Sequence, residues 1–90
     1  METEGTISAL SALAQETRFA IFTMLAREEC AGLSAGDIGL RLNIPLATLS
    51  YHLSQLKRAG LVSSRRRARM MLYCANPSAL DDLICRLNSI

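Results

Sequence analysis

Cations are where this chain concentrates its chemistry. Arg65, Arg66, Arg67 and Arg69 fill four of five consecutive positions, Lys57 and Arg58 stand just upstream, and Arg41 precedes them. Residues 38 to 80 hold these cations and no acid, a formal +7. The preceding stretch sets Arg18 and Arg27 against Glu2, Glu4, Glu16, Glu28, Glu29 and Asp37, a formal −4, and Asp81, Asp82 and Arg86 leave the tail at −1. An acid-free cationic run inside a chain of net charge +2 is the pattern of a nucleic-acid face, where guanidinium and ammonium groups displace counterions from phosphate. Charge alone also allows a solvated surface that meets an acidic protein or a membrane. The thiols offer less. Cys30, Cys74 and Cys85 are odd in number and form no C-x-x-C pair, so neither a disulfide framework nor a zinc knuckle is suggested. His52 is the single histidine, too few for a His-rich metal cage, and no two titratable groups stand at a spacing that would make an active site. The chain is expected not to be an enzyme and to require no cofactor.

These residues need elements to position them. Ninety residues make one domain, 1–90, and the absence of an apolar run of about 18 residues excludes a spanning helix. The acidic opening Met1-Glu2-Thr3-Glu4-Gly5 is unlike a secretory leader, so a cytoplasmic location is expected, with no membrane partner. A domain this small buries only about 60 to 65% of its unfolded surface, which favours cover from a second chain. Ile7, Leu10, Leu13 and Ala14 recur at helical spacing over Thr6 to Ala14. A second helix restarts at Gln15 and runs to about Glu28; Phe19, Ile21, Phe22, Met24, Leu25 and Ala26 surround most of it and mark it as the centre of the core. Gly32 breaks the chain. Ser34 then caps a third helix whose inner face is Ile38 and Leu42. Asn43 tolerates a left-handed turn, Pro45 suits the first turn of a following helix, and small Gly39 lies where a side chain would collide with that helix. Two helices across a turn of about three residues form a helix-turn-helix.

The fourth helix, Pro45 to Ala59, stops at Gly60. At about 100° per residue, Leu46, Leu49, Leu53, Leu56 and Gly60 share a buried stripe. Ala47, Tyr51, Ser54 and Arg58 take the opposite arc, flanked by Thr48 and Gln55 on one side and Ser50 and Lys57 on the other. Hydroxyls, an amide, one aromatic and cations without a carboxylate suit a major groove, where base edges are read by hydrogen bonds and methyl contacts. His52 falls at the edge of the stripe, as a packed and hydrogen-bonded residue. Leu61-Val62-Ser63-Ser64 and Met70 to Ala75 read as strands flanking the arginines, which places Arg65 to Arg69 at the tip of a hairpin. A last helix after Pro77 carries Leu80, Leu83, Ile84 and Leu87 on one face. The fold expected is mainly α with a small β-hairpin, in the order α-α-α-α-β-β-α, dimerising through its first and last helices.

The strings Leu13-Ala14-Gln15-Glu16-Thr17-Arg18, Thr48-Leu49-Ser50-Tyr51-His52-Leu53 and Leu56-Lys57-Arg58-Ala59-Gly60-Leu61-Val62, with the arginine run before Tyr73, resemble the ArsR/SmtB family of winged-helix repressors from about Leu10 to Leu87. The resemblance implies a homodimer that binds an inverted-repeat operator in double-stranded DNA and blocks transcription until an effector loosens it. Ala47, Ser50, Tyr51 and Ser54 would face base edges. Thr48, Lys57, Arg65, Arg66, Arg67 and Arg69 would hold phosphates, with a wing arginine entering the minor groove. The departures concern the effector. Ser34-Ala35-Gly36-Asp37 stands where arsenite and cadmium sensors of the family carry a thiol pair, Asp81 and Asp82 stand without the histidines of its zinc and nickel sensors, and Ala68 replaces the glycine common at the wing tip. Cys74 shares a strand face with Met70 and Leu72 and reads as a small buried hydrophobe; Cys85 falls about 100° off the last helix's stripe, at an exposed rim. Cys85 with Cys74 or Cys30 could form a disulfide or bind a thiophilic species such as arsenite. The competing function is a winged-helix module that binds protein. An interface of that kind would expose apolar anchors, and the outward arc of the fourth helix offers only Tyr51 and Ala47.

Overall fold

The structure is a computed structural model that describes residues 3–28 and 31–89. Cys30 lies outside the described residues. Helix α1 (Thr3–Leu13) leads into α2 (Glu16–Arg27), whose N-cap Gln15 accepts a bond from the Arg18 amide at 2.8 Å. Gly32 takes φ +79, as its place in the break requires, and a two-residue strand β1 (Leu33–Ser34) follows. Helices α3 (Ala35–Leu42) and α4 (Leu46–Arg58), strands β2 (Val62–Arg67) and β3 (Met70–Ala75), and α5 (Pro77–Asn88) complete the order.

The sheet is antiparallel in the order β1-β3-β2, with Leu33 opposite Tyr73 and Ser63 opposite Cys74. Strand β1 was not expected. Its two residues are too few to show alternation, and Ser34 serves twice, pairing with Leu72 while its hydroxyl accepts the Asp37 amide at 3.1 Å to cap α3. Gly32 explains how β1 reaches β3: a Cβ there would stand 2.8 Å from Cys74 Sγ, so only glycine lets the chain pass.

The helix-turn-helix is built as its residues require. Asn43 is left-handed at φ 55 and donates its amide to the Gly39 carbonyl, and the Ile44 amide bonds the same carbonyl at 3.0 Å. A Cβ on Gly39 would lie 3.1 Å from the Ile44 carbonyl oxygen, so the tight neighbour is the turn backbone rather than the second helix. Pro45 is the N-cap of α4 rather than part of its first turn, with extended ψ 144. Gly60 ends the helix at φ +77.

Ile21, Leu25, Ile38, Leu49, Leu53, Leu56, Leu61 and Val62 form the buried centre. Three side chains expected inside it lie outside. In α2 only Ile21, Phe22 and Leu25 are buried, while Phe19 is 56% exposed and Ala26 is exposed, because one flank of the helix faces solvent rather than protein. Leu46, at the first position of α4, is also exposed, and Ile44 packs against the core from the turn instead. Helices α1 and α5 bury their small residues, Ala9, Ala12 and Ala79, along with Leu83. Their large ones, Ile7, Leu10, Leu80, Ile84 and Leu87, are each 41 to 62% exposed. Among the described residues, no helix is long and apolar enough to cross a membrane.

Candidate nucleic-acid interface

Helix α4 is held from behind and open in front. Leu49, Leu53 and Leu56 are buried, and His52 joins them as a polar member of the packed face. Arg18 secures that face to the rest of the molecule: its Nε donates to the Ala12 carbonyl at 2.8 Å and its Nη1 lies 3.3 Å from His52 Nδ1. A guanidinium only donates, so Nδ1 accepts and the ring proton sits on Nε2. Burial, and then the Arg18 charge, hold His52 below the usual histidine pKa, so the ring is neutral near pH 7. His52 is therefore the packed, hydrogen-bonded residue its spacing indicated.

The opposite face carries no acid. Ala47, Thr48, Ser50, Tyr51, Ser54, Lys57 and Arg58 are all exposed. Tyr51 is 58% exposed, and its ring meets the His52 ring edge-on at 5.6 Å between centroids, which ties its base to the packed face. Ser54 donates its hydroxyl to the Tyr51 carbonyl at 2.7 Å, leaving its oxygen lone pairs as an outward acceptor. The α4 side chains assigned to base edges thus share one surface. Arg58 shares that arc, where helical spacing from Ala47, Tyr51 and Ser54 puts it.

The wing differs from the expectation in where its arginines sit. Residues Arg65, Arg66 and Arg67 belong to β2, paired with Leu72, Met71 and Met70, and the turn itself holds only Ala68 and Arg69. The strand continues through the arginines because each has a β3 partner for its backbone, something charge and turn propensity alone do not reveal. Alternation along β2 then separates the cations. Arg66 shares a face with Ser64, whose hydroxyl accepts from Lys57 Nζ at 2.6 Å, so this face is latched to α4. Arg65 lies on the other face and donates to the Ala31 carbonyl at 3.2 Å. Arg66, Arg67 and Arg69 remain exposed along the outer half of the hairpin. Arg41 is drawn away from the cationic run by an ion pair with Glu28 at 2.6 Å.

The two described thiols do not share an environment. Cys74 is half-buried on β3 beside Gly32, and Cys85 is exposed on α5. Among the described residues, no three His, Cys, Asp or Glu side chains gather as a metal site.

Known proteins share this arrangement. The family model described as a helix-turn-helix domain matches residues 13–65. The transcriptional activator HlyU of Vibrio cholerae is 36% identical over 75 residues, 83% of this chain and 67% of that protein, so the chain spans about two thirds of its length. The solved structure of an ArsR-like transcriptional regulator from Rhodococcus sp. RHA1 superposes with a TM-score of 0.86 at 31% identity, covering 96% of this chain and 78% of the other. A homodimeric winged helix-turn-helix DNA-binding domain from Mycobacterium bovis, Mb0332, shares the fold with a TM-score of 0.78 at 24% identity over 96% of this chain and 77% of its own. With the helix-turn-helix, the wing and these relatives in agreement, the chain belongs to the ArsR/SmtB family of winged helix-turn-helix proteins and is a DNA-binding transcriptional regulator.

Proposed function

We propose that the protein is a cytoplasmic homodimeric repressor that reads an inverted-repeat operator with α4 in the major groove. The observation that carries this reading is the acid-free outward face of α4, continuous through the Lys57–Ser64 bond with a cationic wing. Ala47, Ser50, Tyr51 and Ser54 present a methyl, hydroxyls and a phenol to base edges. Thr48, Lys57, Arg65, Arg66, Arg67 and Arg69 serve phosphates, and Arg69 at the turn is the arginine best placed for a minor groove. Arg65 serves through the wing's inner face, where its bond to Ala31 steadies the strand.

The outward apolar faces of α1 and α5, which no described residue of one chain covers, support dimerisation, and Mb0332 is a homodimer of the same fold. A two-fold dimer presents two copies of α4 to half-sites about one helical turn apart, hence the inverted repeat. Binding there excludes polymerase, which is repression; HlyU is named an activator, so a promoter-reporter assay decides the direction. We assign release to a thiol-reactive effector acting at exposed Cys85 with Cys74 or Cys30, and loss of operator binding on arsenite or oxidant treatment, absent in a Cys85→Ser variant, is its expected signature.

Fluorescence anisotropy against DNA from upstream of the protein's own gene, beside a scrambled fragment and over a salt series, tests the main reading. The expected result is a preference of about a thousandfold or more with a steep salt slope. Absence of binding even at low salt would replace it with the protein-interaction reading.

A further inference from the structure

On the flank of α4 away from the wing, α1 and α4 enclose an open polar pocket of about 520 Å3. Ser8 and Ser11 line it from α1, Arg18 from the start of α2, and Gln55 and Arg58 from α4. Two guanidiniums, two hydroxyls and an amide meet there, and no carboxylate is among the lining residues. The bonds of Arg18 to Ala12 and His52 use Nε and Nη1, which fixes its plane and leaves Nη2 without a hydrogen-bond partner among the described residues. Arg58 makes no hydrogen bond or ion pair with any described residue. A fixed guanidinium, an uncommitted one and neutral donors around an open cup suit a tetrahedral oxyanion, for which arginine forks are the best-matched protein donors.

We propose that this pocket seats a phosphate of the DNA backbone, so that α4 is clamped on both flanks: by Lys57 and the wing on one side, and by Arg18, Arg58, Gln55 and the α1 serines on the other. A backbone phosphate is favoured over a free phosphorylated metabolite by position. Arg58 lies on the same arc of α4 as Ala47, Tyr51 and Ser54, so an anion held by Arg58 borders the surface offered to the duplex. The inference rests on α4 being the recognition helix. It adds a phosphate contact from the otherwise acidic N-terminal part of the chain, where charge along the sequence gives no hint of one.

The test uses a duplex selected by the full chain from random sequence, remade with single neutral methylphosphonates and titrated by anisotropy. One phosphate per half-site, different from those coupled to Arg66, is expected to cost the wild type about tenfold when neutralised and to cost Arg58→Ala less than about twofold. Arg58→Ala itself is expected to weaken all sequences by about tenfold and to flatten the salt slope by about one unit per half-site. Ser11→Glu, which sets a carboxylate on an exposed helix position in the cup, moves affinity the same way, with circular dichroism confirming that each variant is folded. Unchanged affinity and slope in both variants, while Arg66→Ala weakens binding, would overturn the pocket and leave the DNA reading intact. Failure of the wild type to select any duplex would overturn both. Saturable binding of inorganic phosphate in a 31P NMR titration, lost in Arg58→Ala but without methylphosphonate coupling, would make the pocket a small-anion site and overturn the backbone assignment.

Discussion

In the proposed complex, Tyr51 is the side chain on which sequence preference turns. It is the only aromatic group on the outward arc of α4, and its ring is steadied from below by His52, which would present it to base edges in a defined pose. Tyr51→Ala is expected to change the ranking of operator variants in a selection experiment, whereas Arg66→Ala weakens all of them alike. Retention of both affinity and ranking in Tyr51→Ala would place the reading face elsewhere on α4. His52 supplies a second prediction, in pH. Its folded pKa lies below the usual 6.5 because burial and the Arg18 charge disfavour the imidazolium. As pH falls through about 6.5, the unfolded chain takes up a proton that the folded one does not, so stability is intact above that value and lost below it, down to the folded pKa. Thermal melts at about pH 7.5 and about pH 5.5 are expected to show a larger drop for wild type than for His52→Gln, whose site does not titrate. Equal drops would mean that acid loss comes from other groups.

At the level of elements, the wing shows how pairing overrides local signals. Four arginines in five positions read as a tip, yet β3 supplies a backbone partner for each residue from Val62 to Arg67 and shortens the turn to Ala68 and Arg69. That turn forces Ala68 to φ 55, a conformation that costs an L-residue with a Cβ roughly 1 kcal/mol or more. Ala68→Gly removes that cost and adds some backbone entropy to the unfolded chain, for a net gain of about 0.5 to 1 kcal/mol in denaturant unfolding. A loss of stability instead would show that the Ala68 methyl packs in the hairpin. Strand β1 and the Gly39 turn were harder to read. The strand has only two residues, and the atom that Gly39 must avoid is a carbonyl five positions on, whose place is set by the turn.

For the molecule as a whole, the proposed assembly rests on the large side chains that α1 and α5 turn outward. Ile84 and Leu87 are each half exposed in one chain, and Ile7 and Leu10 extend the same kind of surface on α1. Fully burying a side chain of this type is worth about 1.5 to 3 kcal/mol, and the half-exposed ones here would gain part of that, so several on each protomer would act together in a dimer. Ile84→Asp is expected to give monomers in sedimentation equilibrium with an unchanged far-UV spectrum, and to lose operator affinity, because only the dimer spans two half-sites. A dimer that survives this change would move the interface away from α5.

Much of the protein is fixed by local chemistry and can be read directly. Helical spacing marks α1 through α5, Asn43 and Gly60 take the left-handed conformations their types allow, Ser34 caps α3, and the lack of acids from 38 to 80 marks the side proposed to face DNA. Each of these depends on residues a few positions apart, so order along the chain carries the information. Contacts between distant segments depended on the tertiary structure. It alone joined Arg18 to His52, Lys57 to Ser64 and Arg41 to Glu28, drew β1 onto β3, left Phe19 and Leu46 outside the core, and brought Arg58 to the serines of α1. Periodicity says that a helix has two faces; what each face meets is determined only when the other elements have packed against it.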